Sequence, residues 1–248
     1  NKLNSKSINS EKIILLPNSI GGFSKFRVKE TSNLEDGLAE KFPMIKSYSA
    51  QGINDPSAVA KISLGTDGLH ITVFSAKVST FHINPYTKDN SRFIAYKRED
   101  LDHTTKDFKC QLEEKSGLNR QTENFNARNA NDGKLRTFRL AMVCTGEYAQ
   151  YHLTKQGVAE AATDVVKKAA VLSAMNTSMT RINGVYERDL GVRMVLVADN
   201  DKVVFLDPTT DNLSNGNTGA LIGESQTVCD AEIGSANYDI GHLVSLEP

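Results

Sequence analysis

Short runs of apolar residues, separated by turn-forming clusters, fill the first part of the chain. Ile13-Ile-Leu-Leu16, Phe23-Ser-Lys-Phe-Arg-Val28, His70-Ile-Thr-Val-Phe74 and Ser79-Thr-Phe-His-Ile83 read as strands, the second with clear alternation. Pro17-Asn-Ser-Ile-Gly-Gly22 and Gly65-Thr-Asp-Gly68 supply turn chemistry between them. A single helix is predicted over residues 33–46, where Ser32 and Glu35 have capping-box spacing and Leu34, Leu38 and Phe42 share a face.

The pattern changes past the middle. Residues 115–134 are polar and Asn-rich, with little to bury. After them, strands are predicted at Phe138–Val143, Val192–Val197, Val203–Leu206 and Tyr238–Val244. A long helix separates the first two, with Val158, Ala162, Val165, Ala169, Leu172, Met175, Met179, Ile182 and Tyr186 on one stripe, and another is expected near 224–233. Strand, helix, strand implies a parallel pair. The expected fold class is therefore α+β / α/β: a β-rich domain over 1–114, a polar linker over 115–135, and a mixed sheet with a long packed helix over 136–248.

Composition narrows the functional classes. With 248 residues and 39% hydrophobic content the chain can bury a sizeable core, and a formal net charge of −1 gives no field to draw it onto nucleic acid or anionic lipid. No run approaches the ~18 apolar residues of a membrane span, and Asn1-Lys-Leu-Asn-Ser-Lys-Ser7 lacks the apolar core of a signal peptide. The 3 cysteines, Cys110, Cys144 and Cys229, have no C-x-x-C spacing.

Catalytic motifs are missing. The 5 histidines, His70, His82, His103, His152 and His242, are scattered, with no pair at the i, i+4 spacing that puts two imidazoles on one helix face for zinc, and no H-E-x-x-H, G-x-S-x-G or Walker loop occurs. His242 in the last strand reads as a hydrogen-bonded strand histidine before it reads as a ligand or base. Glu187, Arg188 and Asp189 read as an exposed capping turn before a charged cluster. Asp199-Asn-Asp201 and the Asp/Asn-rich stretch 207–217 invite a calcium reading, but their spacing is not that of an EF-hand loop and such clusters usually form turns.

Cys144-Thr-Gly-Glu-Tyr-Ala149, Asn183-Gly-Val-Tyr-Glu-Arg-Asp-Leu190 and Ala236-Asn-Tyr-Asp-Ile-Gly-His242 resemble the catalytic domain of bacterial reprolysin-like (adamalysin-type) zinc metallopeptidases of the metzincin group. Phe42-Pro-Met-Ile-Lys-Ser-Tyr48, Gln51-Gly-Ile-Asn-Asp-Pro56 and Ile83-Asn-Pro-Tyr86 look like that family's propeptide. The resemblance implies a secreted or cell-surface zymogen acting on protein or peptide substrates, with a propeptide packed on the catalytic portion. It also implies that the zinc-binding helix, its histidines and the general-base glutamate lie beyond Pro248. The chain itself is then expected to be inactive and zinc-free, with no catalytic or metal-binding residue to assign. Cys110, just before the linker, sits where a zymogen cysteine switch would, the alternative being an inert or disulfide-bonded cysteine, and Arg120, Arg128 and Lys134 are candidate cleavage sites. By the same resemblance Cys229 would pair with a cysteine outside the chain, while Cys144 reads as a buried strand end. An exposed sheet edge predicts self-association. The alternative to a protease fragment is a non-catalytic binding or inhibitory module, or a surface adhesin.

Overall fold

The structure is a computed structural model that describes residues 12–101 and 132–246. Its first part is a seven-stranded antiparallel meander in which spatial order follows chain order. The strands are β1 (Lys12–Pro17), β2 (Phe23–Glu30), β3 (Lys46–Gly52), β4 (Val59–Gly65), β5 (Gly68–Phe74), β6 (Phe81–Pro85) and β7 (Phe93–Lys97). A short helix, α1 (Asp36–Lys41), stands between β2 and β3. The alternation of β2 places Phe26 in a core with Leu16, Ala60, Ile62, Ile71, Phe81 and Ile83.

The predicted capping box does not form. Ser32 exchanges hydrogen bonds with the backbone of Leu34 (2.8 and 3.1 Å), and Glu35 is the residue before the helix but bonds elsewhere, its carboxylate accepting from the amide of Ala198 at 2.8 Å. The reason is a competing strand. Asn33 to Glu35 run extended beside Leu196, whose amide donates to the Asn33 carbonyl (2.8 Å) and whose carbonyl accepts from the Glu35 amide (2.9 Å).

The second part is a parallel three-stranded sheet with β8 (Arg136–Cys144) between β9 (Val192–Leu196) and β10 (Ile240–Val244). Both faces of β8 are covered: Leu140, Met142 and Cys144 point into one cluster, Ala141 and Val143 into another. The expected single helix after β8 is two, α2 (Gly146–Gln156) and α3 (Asp164–Leu190), because Gly157 takes a left-handed conformation (φ 67°) and stops α2. Val158 and Ala162 therefore fall in the connection and Val165 is exposed. α4 (Thr218–Glu232) covers the opposite face. The expected strand Val203–Leu206 is instead a 3₁₀ turn over Asn200–Val203 followed by a single bridge from Val204 to Cys144. The buried carboxamide of Asn200 supplies what a strand would have, accepting from the Met142 amide (2.8 Å) and donating to its carbonyl (3.1 Å). No helix among the described residues is long and apolar enough to cross a membrane.

The two parts share a core. Leu34, Leu38, Phe42 and Ile45 lie in the same buried cluster as Leu140, Met142, Leu172, Met175, Met179 and Leu196. At about 1.5–3 kcal/mol for each large apolar side chain removed from water, these four contribute roughly 6–12 kcal/mol as an upper bound. That is comparable to the ~5–15 kcal/mol net stability of a whole domain, so the second part is not independent of the segment that joins β2 to β3.

Candidate functional site

Helix α3 is buried on two faces of opposite character. Ala169, Leu172, Met175 and Met179 face β8 and β9, as the apolar spacing predicts. Ser173, Thr177, Thr180 and Gly184 form a second stripe at the same 3–4 spacing, and this one meets the first sheet. The approach is close: a Cβ added to Gly184 would lie 2.5 Å from the Phe74 ring, and one added to Gly65 would lie 2.6 Å from the Ser173 hydroxyl.

At the centre of this joint is a buried polar network. Asn33 donates to Asn176 Oδ1 (3.1 Å) and Thr180 Oγ1 (2.8 Å) and accepts from Asn183 Nδ2 (3.1 Å). Ser47 Oγ donates to Asn176 Oδ1 (3.0 Å), and Asn176 Nδ2 donates to the Lys46 carbonyl (3.2 Å). Asn183 finishes by pairing with both backbone groups of Met194 (2.8 and 2.9 Å). Each carboxamide is bonded on both its oxygen and its nitrogen, the condition under which burial is not penalised.

Charged pairs flank the network. Lys61 of β4 reaches Glu187 of α3 with side chains only 8% and 18% exposed, and Glu187 also faces Arg193 at 3.7 Å. Glu187 is thus a half-buried partner of the first sheet, which corrects its reading as part of an exposed turn. Arg188 and Asp189 do pair on the surface, with Arg188 also over the Phe74 ring at 5.0 Å.

At the other end the β4–β5 turn carries Thr66 and Asp67 onto the two helices. Thr66 Oγ1 donates to Gln156 Oε1 (2.7 Å), and Asp67 Oδ2 accepts from Thr177 Oγ1 (2.7 Å) and faces His70 Nε2 (3.3 Å). His70 Nδ1 meets Asn84 Oδ1 at 3.0 Å, and that oxygen also accepts from Arg181 (2.9 Å). Burial works against the imidazolium of His70, but the hydrogen bond and charge of Asp67 outweigh it and raise its pKa. Asp67 Oδ1 and Glu147 Oε2 are buried oxygens without a hydrogen-bond partner among the described residues.

The other described histidines stand apart. His82 bonds Thr72 and lies beside Tyr96; burial, then Arg181 and Arg98, lower its pKa. His152 packs on Tyr148 at 4.5 Å, and burial lowers its pKa against a smaller opposing effect of Asp67. His242 is on β10 opposite Met142. Among the described residues no three His, Cys, Asp or Glu side chains are grouped so as to hold a metal ion.

The acidic stretches are accounted for by ordinary partners. Asp199 and Asp201 both bind Lys41 of α1 (3.1 and 2.8 Å), and Asp211 accepts from the amides of Gly146 at the start of α2 (2.8 Å) and Leu213 (3.0 Å). Cys144 ends β8 as expected, its thiol pushed up to about 12 by burial, and Cys229 is buried on the inner face of α4 with no disulfide partner among the described residues. Lys134 is exposed just ahead of β8, whereas Cys110, Arg120, Arg128 and His103 lie outside the described residues.

The sequence blocks that looked most distinctive thus have scaffold roles. Thr145 caps α2, Asn183, Gly184 and Glu187 build the joint, and Asp239 clasps Arg139 across β8 and β10 (2.8 Å to Nη2 and 2.8 Å to the amide). The polar stripe on α3 was visible as spacing, but a stripe of serine, threonine and glycine ordinarily signals solvent.

Residues 134–247 match the family model described as Metallo-peptidase family M12B, reprolysin-like. No curated protein and no solved structure gives a match to the chain. The match covers the second part of the molecule as a domain of the reprolysin-like M12B metallopeptidase family, and it begins after the first sheet has ended.

Proposed function

We propose that the reprolysin-like domain over 134–247 is the amino-terminal portion of the catalytic domain of a secreted zinc-dependent metalloendopeptidase, with the β-rich part as its propeptide. The family match carries this reading, and the parallel β8–β9 pair with its packed helix is consistent with it. In the parent, zinc would activate a water for attack on a peptide carbonyl. Among the described residues no group of three or more potential ligands is placed to hold the metal, and no step is assigned to them. Cys110 would supply a thiolate to the parent's zinc, and Arg120, Arg128 or Lys134 would be cut on activation. The outer edge of β10, unpaired among the described residues, would join the rest of the sheet in the parent and would promote self-association of this chain alone.

A second reading, a non-catalytic binding module, draws on the shared core: the first sheet is built into the second part rather than laid against it. Reading the gene past the Ser245 codon separates the two. An in-frame H-E-x-x-H supports the protease; its absence rejects it. On the purified chain, the protease reading predicts no stoichiometric zinc and no chelator-sensitive cleavage of casein, and one tightly bound zinc per chain would contradict it.

A further inference from the structure

We infer that the first sheet is a permanent partner of α3 and β9, one that stays bound after the chain between residues 102 and 131 is cut. This goes beyond the proposed protease reading and concerns the joint itself, whatever chemistry the parent performs.

Three independent features carry it. Asn33 to Glu35 add a parallel strand segment to the outer edge of β9 through two backbone hydrogen bonds at Leu196, so departure of the first sheet would uncover a strand edge. Leu34, Leu38, Phe42 and Ile45 sit among Met175, Met179 and Leu196, so departure would also open the apolar core. Asn176, Thr180 and Asn183 are buried and take hydrogen bonds from or give them to Asn33, so the vacated face of α3 would carry unmatched polar groups beside exposed methionines. The first sheet matches it by presenting a phenylalanine opposite Gly184, a lysine opposite Glu187 and an extended Asn-Leu-Glu segment at the β9 edge.

The test places a recognition sequence for a specific protease within residues 115–130 of the full chain, cuts it to completion, and runs the product on a native sizing column. The two pieces should co-elute at the volume of the uncut chain, and amide exchange across 173–187 should be unchanged by the cut. Gly184→Val, which drives a side chain into Phe74, should make the cut pieces separate. Should that variant fail to fold, Asn33→Ala should still speed exchange across 173–187 at least tenfold in the cut chain relative to the cut wild type. Separation of the cut wild-type pieces in native buffer, whether the second piece stays folded or aggregates, would overturn the inference. Because the readout is co-elution and exchange, it is indifferent to whether the parent proves to be a protease.

Discussion

The side-chain amide of Asn183 faces the backbone of Met194 as a strand neighbour would, donating to its carbonyl at 2.8 Å and accepting from its amide at 2.9 Å. A helix residue thereby completes the hydrogen bonding of a strand, and the same nitrogen reaches Asn33 of the first part. Asn183→Ala leaves both Met194 groups without partners in a buried place, and should lower stability by about 2–4 kcal/mol in urea denaturation. An effect below about 0.5 kcal/mol, the usual range of surface substitutions, would show that the contact is dispensable.

Lys61 and Glu187 form a pair with little access to water, so single and double substitutions should differ sharply. Glu187→Leu alone strands Lys61 and should cost about 3–5 kcal/mol, Lys61→Met leaves Glu187 its contact with Arg193 and should cost less, and the double variant should recover most of the Glu187→Leu loss. Lys41→Ala, which breaks an exposed pair with Asp199 and Asp201, should cost no more than about 1 kcal/mol. Additive effects of Lys61→Met and Glu187→Leu would contradict the burial of the pair.

Protonation of the histidines should act in two directions on stability. His70 has a raised pKa, because Asp67 and Asn84 accept from its ring and outweigh burial and Arg181; its stabilising contribution is complete below the ordinary value of 6.5 and fades as pH rises through the raised value. His82 and His152 have lowered values, chiefly through burial; their contribution is complete above 6.5 and fades as pH falls through the lowered values. NMR titration should find the His70 ring changing charge at higher pH than those of His82 and His152. Asp67→Asn should remove the upward displacement of His70, and an unmoved His70 titration in that variant would refute the assignment.

Much of the architecture is legible in the sequence where burial follows a simple period. β1, β2, β5 and β6 show as apolar runs, and Leu140 to Val143 mark a strand covered on both sides. β3 and β4 escape that reading because one face of each is buried against something polar: Ser47 and Ser63 point at Asn176 and Thr177, so buried positions carry hydroxyls in place of apolar groups. β7 escapes for the opposite reason, since Phe93 and Ile94 are exposed at a sheet edge. The segment 33–35 carried the spacing of a helix start, yet the free edge of β9 claimed its backbone, a tertiary competition no local pattern records. The joint itself was the least legible feature, because a polar helix stripe ordinarily means water and only the facing asparagines and serines of the first sheet make it an interface.

Leu38 is fully buried in the shared core although it belongs to α1 of the first part. Leu38→Ala should lower stability by about 2–5 kcal/mol, and the loss should be felt by β8 and α3 as much as by the first sheet. Scanning calorimetry of the full chain and of Leu38→Ala tests the shared core most directly. One cooperative transition, with calorimetric and van't Hoff enthalpies in agreement and shifted as a whole by the substitution, is the predicted result. Two separable transitions, only one of them moved by Leu38→Ala, would contradict the account.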